Sequence, residues 1–289
     1  MIDGIQEEMV LIKWKGLGIR KIKDNMAKVV SYLILALMAG VLVSIFAYIL
    51  GSGAAHATIS MFTTFGDTTT GGLLNAIIGT WMLVGMGLLF SIPPGILGAI
   101  YIVNSKSSTR VSYTVKLFTD ILTSVPSIVI GLFGYLVLVI KFGFGYSLVA
   151  GGIALGIMML PYLLRIIEIS FRNIPREQIE SAYALGADDI KIATRVYLPQ
   201  ASKGILSGIL LAVSIAAGET AQLIYTAGFN NALPTGFLKS QVAYLTYVVW
   251  TGVNQPSQYS HYLAYVSAMI LILTITALIF LSKYIGRRK

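Results

Sequence analysis

Residues 29–50, VVSYLILALMAGVLVSIFAYIL, hold no charged side chain. A helix of about 20 apolar residues crosses the hydrocarbon core of a bilayer. Lipid offers no hydrogen bonds, so such a run must satisfy its backbone internally, as a helix does. Further apolar runs lie at about 74–103, 117–140, 147–164, 204–227 and 262–281. The composition agrees: 56% of the 289 residues are hydrophobic and 11% are charged, against roughly a quarter charged in soluble domains. We therefore expect an all-α polytopic membrane protein with six transmembrane helices.

The basic residues sort by side. Lys13, Lys15, Arg20, Lys21, Lys23 and Lys28 precede the first run. Lys106, Arg110 and Lys116 follow the second, the interval 165–203 holds six more, and Lys283, Arg287, Arg288 and Lys289 end the chain. Only Lys141 and Lys239 fall on the opposite face. Cytoplasmic loops carry the excess of Lys and Arg, so both termini and 165–203 are expected in the cytoplasm. Residues 1–28 read as an uncleaved cytoplasmic tail, with a surface helix around Trp14, and 286–289 as a basic tail. The net charge of +9 thus reports topology rather than a nucleic-acid partner. The chain has no cysteine, and its two histidines, His56 and His261, lie far apart without a ligand pattern. Disulfide, thiol and metal chemistry are not expected.

Several spans carry punctuation. Pro93-Pro94 should kink or break the second. Ser124-Val125-Pro126-Ser127 should break the third, freeing backbone groups beside two hydroxyls. Irregular backbone at membrane depth is tolerated where it lines a cavity or is buried in protein. Asp120 can pair with Lys116 at i−4. Pro161 suits a bend in the fourth. Arg165, Glu168 and Arg172 stand at spacings of three and four, as an ion ladder where that span leaves the membrane. The 51–72 interval, with Thr68, Thr69, Thr70 and Asp67, reads as an outer loop. The interval 228–260 reads as a polar loop, and the aromatics of 225–265 as an interfacial belt.

The longest charged interval contains ESAYALGADDIKIATRVYLP at 180–199. Pro175 suits the first turn of a helix. That helix runs to about Leu185 and stops at Gly186, where the left-handed conformation costs glycine little. Asp188 or Asp189 can cap a second helix, and Pro199 marks its end. The pattern of Glu180, Ser181, Ala182, Gly186, Leu198 and Pro199 resembles the EAA loop of ABC importer permeases, with Ser181 for the usual Ala and Val196 for Ile. The resemblance implies that this hairpin is a coupling helix that docks on a cytoplasmic ATPase.

Three more stretches are similar to the A-type subunit of phosphate ABC importers: IPPGILGAIYI at 92–102, DILTSVPSIVIGLFGY at 120–135 and AGETAQLIYTAG at 217–228. The resemblance covers most of residues 70–285. It implies a type I importer permease of the MetI-like fold, with the permease domain over 29–285. It also implies a second, C-type permease subunit, a dimer of ATP-binding subunits, an extracytoplasmic phosphate-binding protein, and the cytoplasmic membrane of a prokaryote. No GxxxxGK loop is present, so ATP and Mg would be bound by the partner rather than by this chain.

Glu219 is the deepest charge. A carboxylate inside a membrane needs a partner or a wet cavity. Set beside Gly218 and Thr220, it is a candidate for the substrate path, with Ser124 and Ser127 at the other break. Phosphate near neutrality retains a proton that it can donate to Glu219. Sulfate has none, and would leave a buried acceptor unpaired. The family commonly places an Arg one turn before this Glu, where this chain has Ile215, so a cation from the partner permease is expected. Another oxyanion (sulfate, molybdate or tungstate) and a proton-coupled secondary carrier are the alternatives.

Overall fold

The computed structural model describes residues 2–66, 71–104, 110–234, 236 and 239–287, without the side chains of 2–22, 111 and 112. Asp67, Thr68, Thr69, Thr70, Lys106, Arg288 and Lys289 lie outside the described residues. So do the side chains of Lys13, Trp14, Lys15, Arg20 and Lys21.

Thirteen α-helices are present among the described residues: α1 Ile2–His56, α2 Ile59–Thr63, α3 Leu74–Asn104, α4 Arg110–Ser124, α5 Ser127–Gly134, α6 Leu148–Arg172, α7 Arg176–Ala184, α8 Asp189–Ile192, α9 Leu198–Gln200, α10 Ser202–Ala217, α11 Ala221–Thr226, α12 Leu245–Asn254 and α13 Gln258–Arg287. Wider π-type turns continue α5 over Tyr135–Lys141 and join α8 to α9 over Ala193–Tyr197. Four helices are long and apolar enough to cross a membrane, and there are up to six spans if each of two bent pairs counts as one. In one pair, 113–124 and 127–141 meet at 101°. In the other, 189–200 and 202–217 meet at 70°.

The chain forms two compact units, residues 1–51 and 52–289. In the first, the tail and the first apolar run are one uninterrupted helix, so no helix boundary falls at residue 28. From Met26 to Tyr48 its apolar side chains are exposed, as lipid-facing residues are. The second unit holds the core. There α3 and α6 lie side by side at glycine-lined contacts, and α6 buries Leu155, Met159, Leu163, Ile167 and Phe171. Ser147 caps α6 by accepting from the Ala150 N–H at 3.2 Å. This helix continues well past residue 164, to Arg172.

Four expectations need correction. The Pro93-Pro94 pair does not break α3, which runs unbroken from Leu74 to Asn104. The fifth span is not one helix: α10 stops at Ala217 and α11 starts at Ala221. The 228–260 interval is not all loop, because α12 packs between the loop and α13 and buries Leu245 and Val248. Nor do its aromatics all lie in a belt: Trp250 is exposed, but others pack inside. Tyr244 is buried, and Phe229 stacks on Tyr247 at 4.3 Å between centroids. Side chains packed inside outweighed the interfacial preference of aromatic rings.

One close approach fixes the geometry needed below. Gly131 on α5 faces α11 so tightly that a Cβ there would lie 2.6 Å from Gln222 Cα. Backbone stands on both sides, so neither can yield cheaply. Gly131→Ala is therefore expected to lower stability by about 1–3 kcal/mol, as overpacking does. Thermal unfolding in detergent would show a depressed midpoint; an unchanged midpoint would contradict this packing.

Candidate functional site

Two helix breaks meet in the second unit. At the first, α4 ends at Ser124 and α5 begins at Ser127 after Pro126, whose carbonyl accepts from the Val129 N–H at 2.9 Å. Proline has no N–H to give and disfavours helix before it, which favours the break seen here. At the second, residues 218–220 leave the helical path. Gly218 donates to the Ile215 carbonyl at 3.1 Å, Glu219 to Ala216 at 3.2 Å, and the Thr220 carbonyl restarts the ladder by accepting from Leu223 at 3.1 Å.

The Ser127 side chain stands beside the Glu219 carboxylate, so the two breaks adjoin. Thr246 on α12 donates to the Glu219 carbonyl at 2.8 Å, so the freed backbone has a partner as well. Among the described residues, no cation pairs with Glu219. Thr220 and Gly218 border the same junction, and Gly218 is exposed. Ile215 is half-buried against the main core. Ser124 is not part of this group: it is exposed, and its hydroxyl donates back to the Asp120 carbonyl at 2.9 Å. Asp120 does not pair with Lys116, whose ammonium lies 3.5 Å from Glu168 instead. Sequence reading missed Thr246 and Gln222. Gln222 is fully buried beside the junction, with Nε2 3.4 Å from Met158 Sδ and Oε1 lacking a protein partner among the described residues. Nothing local in the sequence marks either residue, because both act through tertiary contact.

The hairpin is the second candidate. Gly186 has φ +80, and the Ala187 N–H returns to the Ala182 carbonyl at 3.0 Å, which closes α7. Asp188 is the cap of α8, accepting from the Lys191 N–H at 2.7 Å. That backbone bond holds its carboxyl below the ordinary value. Tyr183 donates to Asp189 Oδ1 at 2.8 Å across the turn. The bond, with some burial, pushes the phenol up to about 12, so the donor persists through neutral pH. Pro175 stands just before α7 rather than in its first turn. Pro199 does not end the second helix: the wider turns over 193–197 accommodate it, and the chain bends after Gln200.

The hairpin has a rooted end and a free end. Ile192 and Tyr197 are buried, with Tyr197 against Phe171 at 5.1 Å between centroids. Ala182 and Leu198 also pack against the core. At the tip, Leu185 is 89% and Ile190 75% exposed. Glu180 is exposed on α7, and the Ser181 hydroxyl is spent on the Glu177 carbonyl at 2.6 Å. Pro199 is exposed near the root.

Residues 91–289 match the family described as binding-protein-dependent transport system inner membrane component. Among relatives, a phosphate transport system permease protein, PstA 2, of Mycobacterium bovis is 40% identical over 222 residues, covering 75% of this chain and 72% of the relative. The PstA of Haemophilus influenzae is 33% identical, covering 78% and 80%. Among solved structures, the inward-facing MetNI methionine ABC transporter aligns with TM-score 0.56 at 18% identity, over 74% of this chain and 96% of that one. A bacterial ABC transporter for the import of alginate aligns with TM-score 0.57 at 16% identity, over 89% and 96%. These two carry the fold, that of an ABC importer permease. With the family pattern running through both breaks and the hairpin between them, the chain belongs to the binding-protein-dependent transport system inner membrane components.

Proposed function

We propose that this chain is the A-type permease subunit of an ATP-driven phosphate importer in a prokaryotic cytoplasmic membrane. The observation that carries the proposal is the hairpin. Two large apolar side chains, Leu185 and Ile190, stand exposed at the tip of a rigid, capped turn. Exposed apolar surface rimmed by charge marks a protein contact. The partner there is the ATP-binding subunit dimer, which holds ATP and Mg; this chain holds neither. Glu180, Ser181, Ala182 and Gly186 form the docking turn, and Leu198 and Pro199 root it.

The distribution of Lys and Arg supports a cytoplasmic hairpin with both termini on the same side. In that arrangement residues 1–28 are a cytoplasmic tail, 29–285 the permease domain and 286–289 a second tail. A C-type permease and an extracytoplasmic binding protein complete the assembly. The relatives' names support phosphate as cargo, and the junction supplies a chemical reason. Glu219 and Ser127 offer a half-buried acceptor and a hydroxyl, which suit an anion that still carries a proton. The cation that Ile215 does not provide comes from the C-type subunit.

Two variants test this reading in vesicles containing the complete importer. Gly186→Val forces a β-branched residue into a left-handed turn, at a cost of roughly 1–2 kcal/mol. It should insert normally yet hydrolyse ATP without phosphate uptake; full uptake would remove the docking role. Glu219→Gln supplies an amide that can donate to sulfate. Preference for phosphate over sulfate should fall about tenfold, which is about 1.4 kcal/mol. Unchanged preference would remove Glu219 from the selective step.

A further inference from the structure

Glu168 is almost fully buried and surrounded by cations. Arg172 Nε lies 2.9 Å from Oε1, Arg165 Nη1 3.5 Å from Oε2 and Lys116 Nζ 3.5 Å from Oε1. The two arginines belong to α6, the helix of Glu168 itself. Lys116 belongs to α4. Among the described residues, this is the one ion pair between two membrane-helix segments, the remaining pair being Lys191–Asp188 within the hairpin.

The charge balance is uneven. Three cations face one carboxylate, and both arginines remain if Lys116 is removed. Lys116 is therefore not needed to neutralise Glu168. What it adds is an ionic link between α4 and α6. Each of these helices leads to one of the two candidate sites. Beyond Arg172, α6 passes through Asn173 and Pro175 into α7, the first arm of the hairpin. Beyond Lys116, α4 ends at Ser124, and across the break α5 packs through Gly131 on Gln222 of α11, close to Glu219. Apart from half-buried Val115, Thr119 and Leu122, α4 shows exposed apolar side chains such as Tyr113, Phe118 and Ile121, so Lys116 is its one charged tie to α6 among the described residues.

We infer that Lys116 is a positioning residue of the transport cycle: its bond to Glu168 carries displacement of the hairpin into α4 and so opens or closes the break beside Glu219. This rests on the coupling reading given above. A packed, ion-paired chain of rigid elements is a physical route for such coupling, and it requires a demonstrated effect on both ends.

The test uses the complete importer in vesicles, with Lys116→Met and Lys116→Arg. Because the chain has no cysteine, Thr123→Cys gives a single reporter next to the break, read by maleimide labelling with and without ATP. Lys116→Met should insert and melt like the parent, yet move about 3- to 30-fold less phosphate per ATP hydrolysed. The ATP-dependent change in labelling at position 123 should vanish, and Lys116→Arg should restore both. Unaltered coupling and labelling in Lys116→Met would overturn the inference. So would a loss of uptake that merely follows a lowered melting midpoint, since the pair would then be structural. ATP-dependent uptake by the parent complex tests the importer reading separately; only the difference between parent and Lys116→Met bears on this link.

Discussion

A polypeptide that leaves the helical path inside a membrane exposes N–H and C=O groups that lipid cannot satisfy. Here two such departures, at 124–127 and at 218–220, are placed against each other. Ser127 stands beside Glu219, Thr246 donates to the Glu219 carbonyl, and the Gly131–Gln222 contact holds α5 on α11. Neither break is tolerable alone in hydrocarbon. Together they form a small polar junction in an otherwise apolar bundle, and the proposed anion path is placed there.

The hairpin follows the opposite rule. It lies in a charged interval, where water satisfies the backbone and local signals suffice. Gly186 takes a positive φ, Asp188 caps α8, and Tyr183 ties the two arms through Asp189. Its root is buried on Phe171 while its tip offers Leu185 and Ile190. In the proposed coupling, this lever passes force from a partner into α6, and the Glu168 cluster shares it with α4.

Much of this was legible in the sequence. The apolar runs gave the spans, Pro126 gave the first break, and Gly186 with Asp188 gave the hairpin, because each acts through its immediate neighbours. The second break was not legible: GETA contains no proline, and Thr246, which takes the freed Glu219 carbonyl, lies on the distant α12. The same holds for Asp120, which local spacing paired with Lys116 although α6 offered Glu168, better buried and flanked by two arginines. Ser124 fails for a related reason, since its hydroxyl returns to its own helix. Pro93 and Pro94 sit within an intact α3, whose packing on α6 outweighs the bonds they remove.

The central claim is that a nucleotide-hydrolysing partner grips the hairpin tip. Its most direct test is Leu185→Cys in an otherwise cysteine-free chain, cross-linked within assembled, transporting complexes. Capture of the ATP-binding subunit, with a yield that changes between ATP-bound and nucleotide-free states, is the predicted result. Complexes that import phosphate under ATP yet give no such capture from position 185 would contradict it.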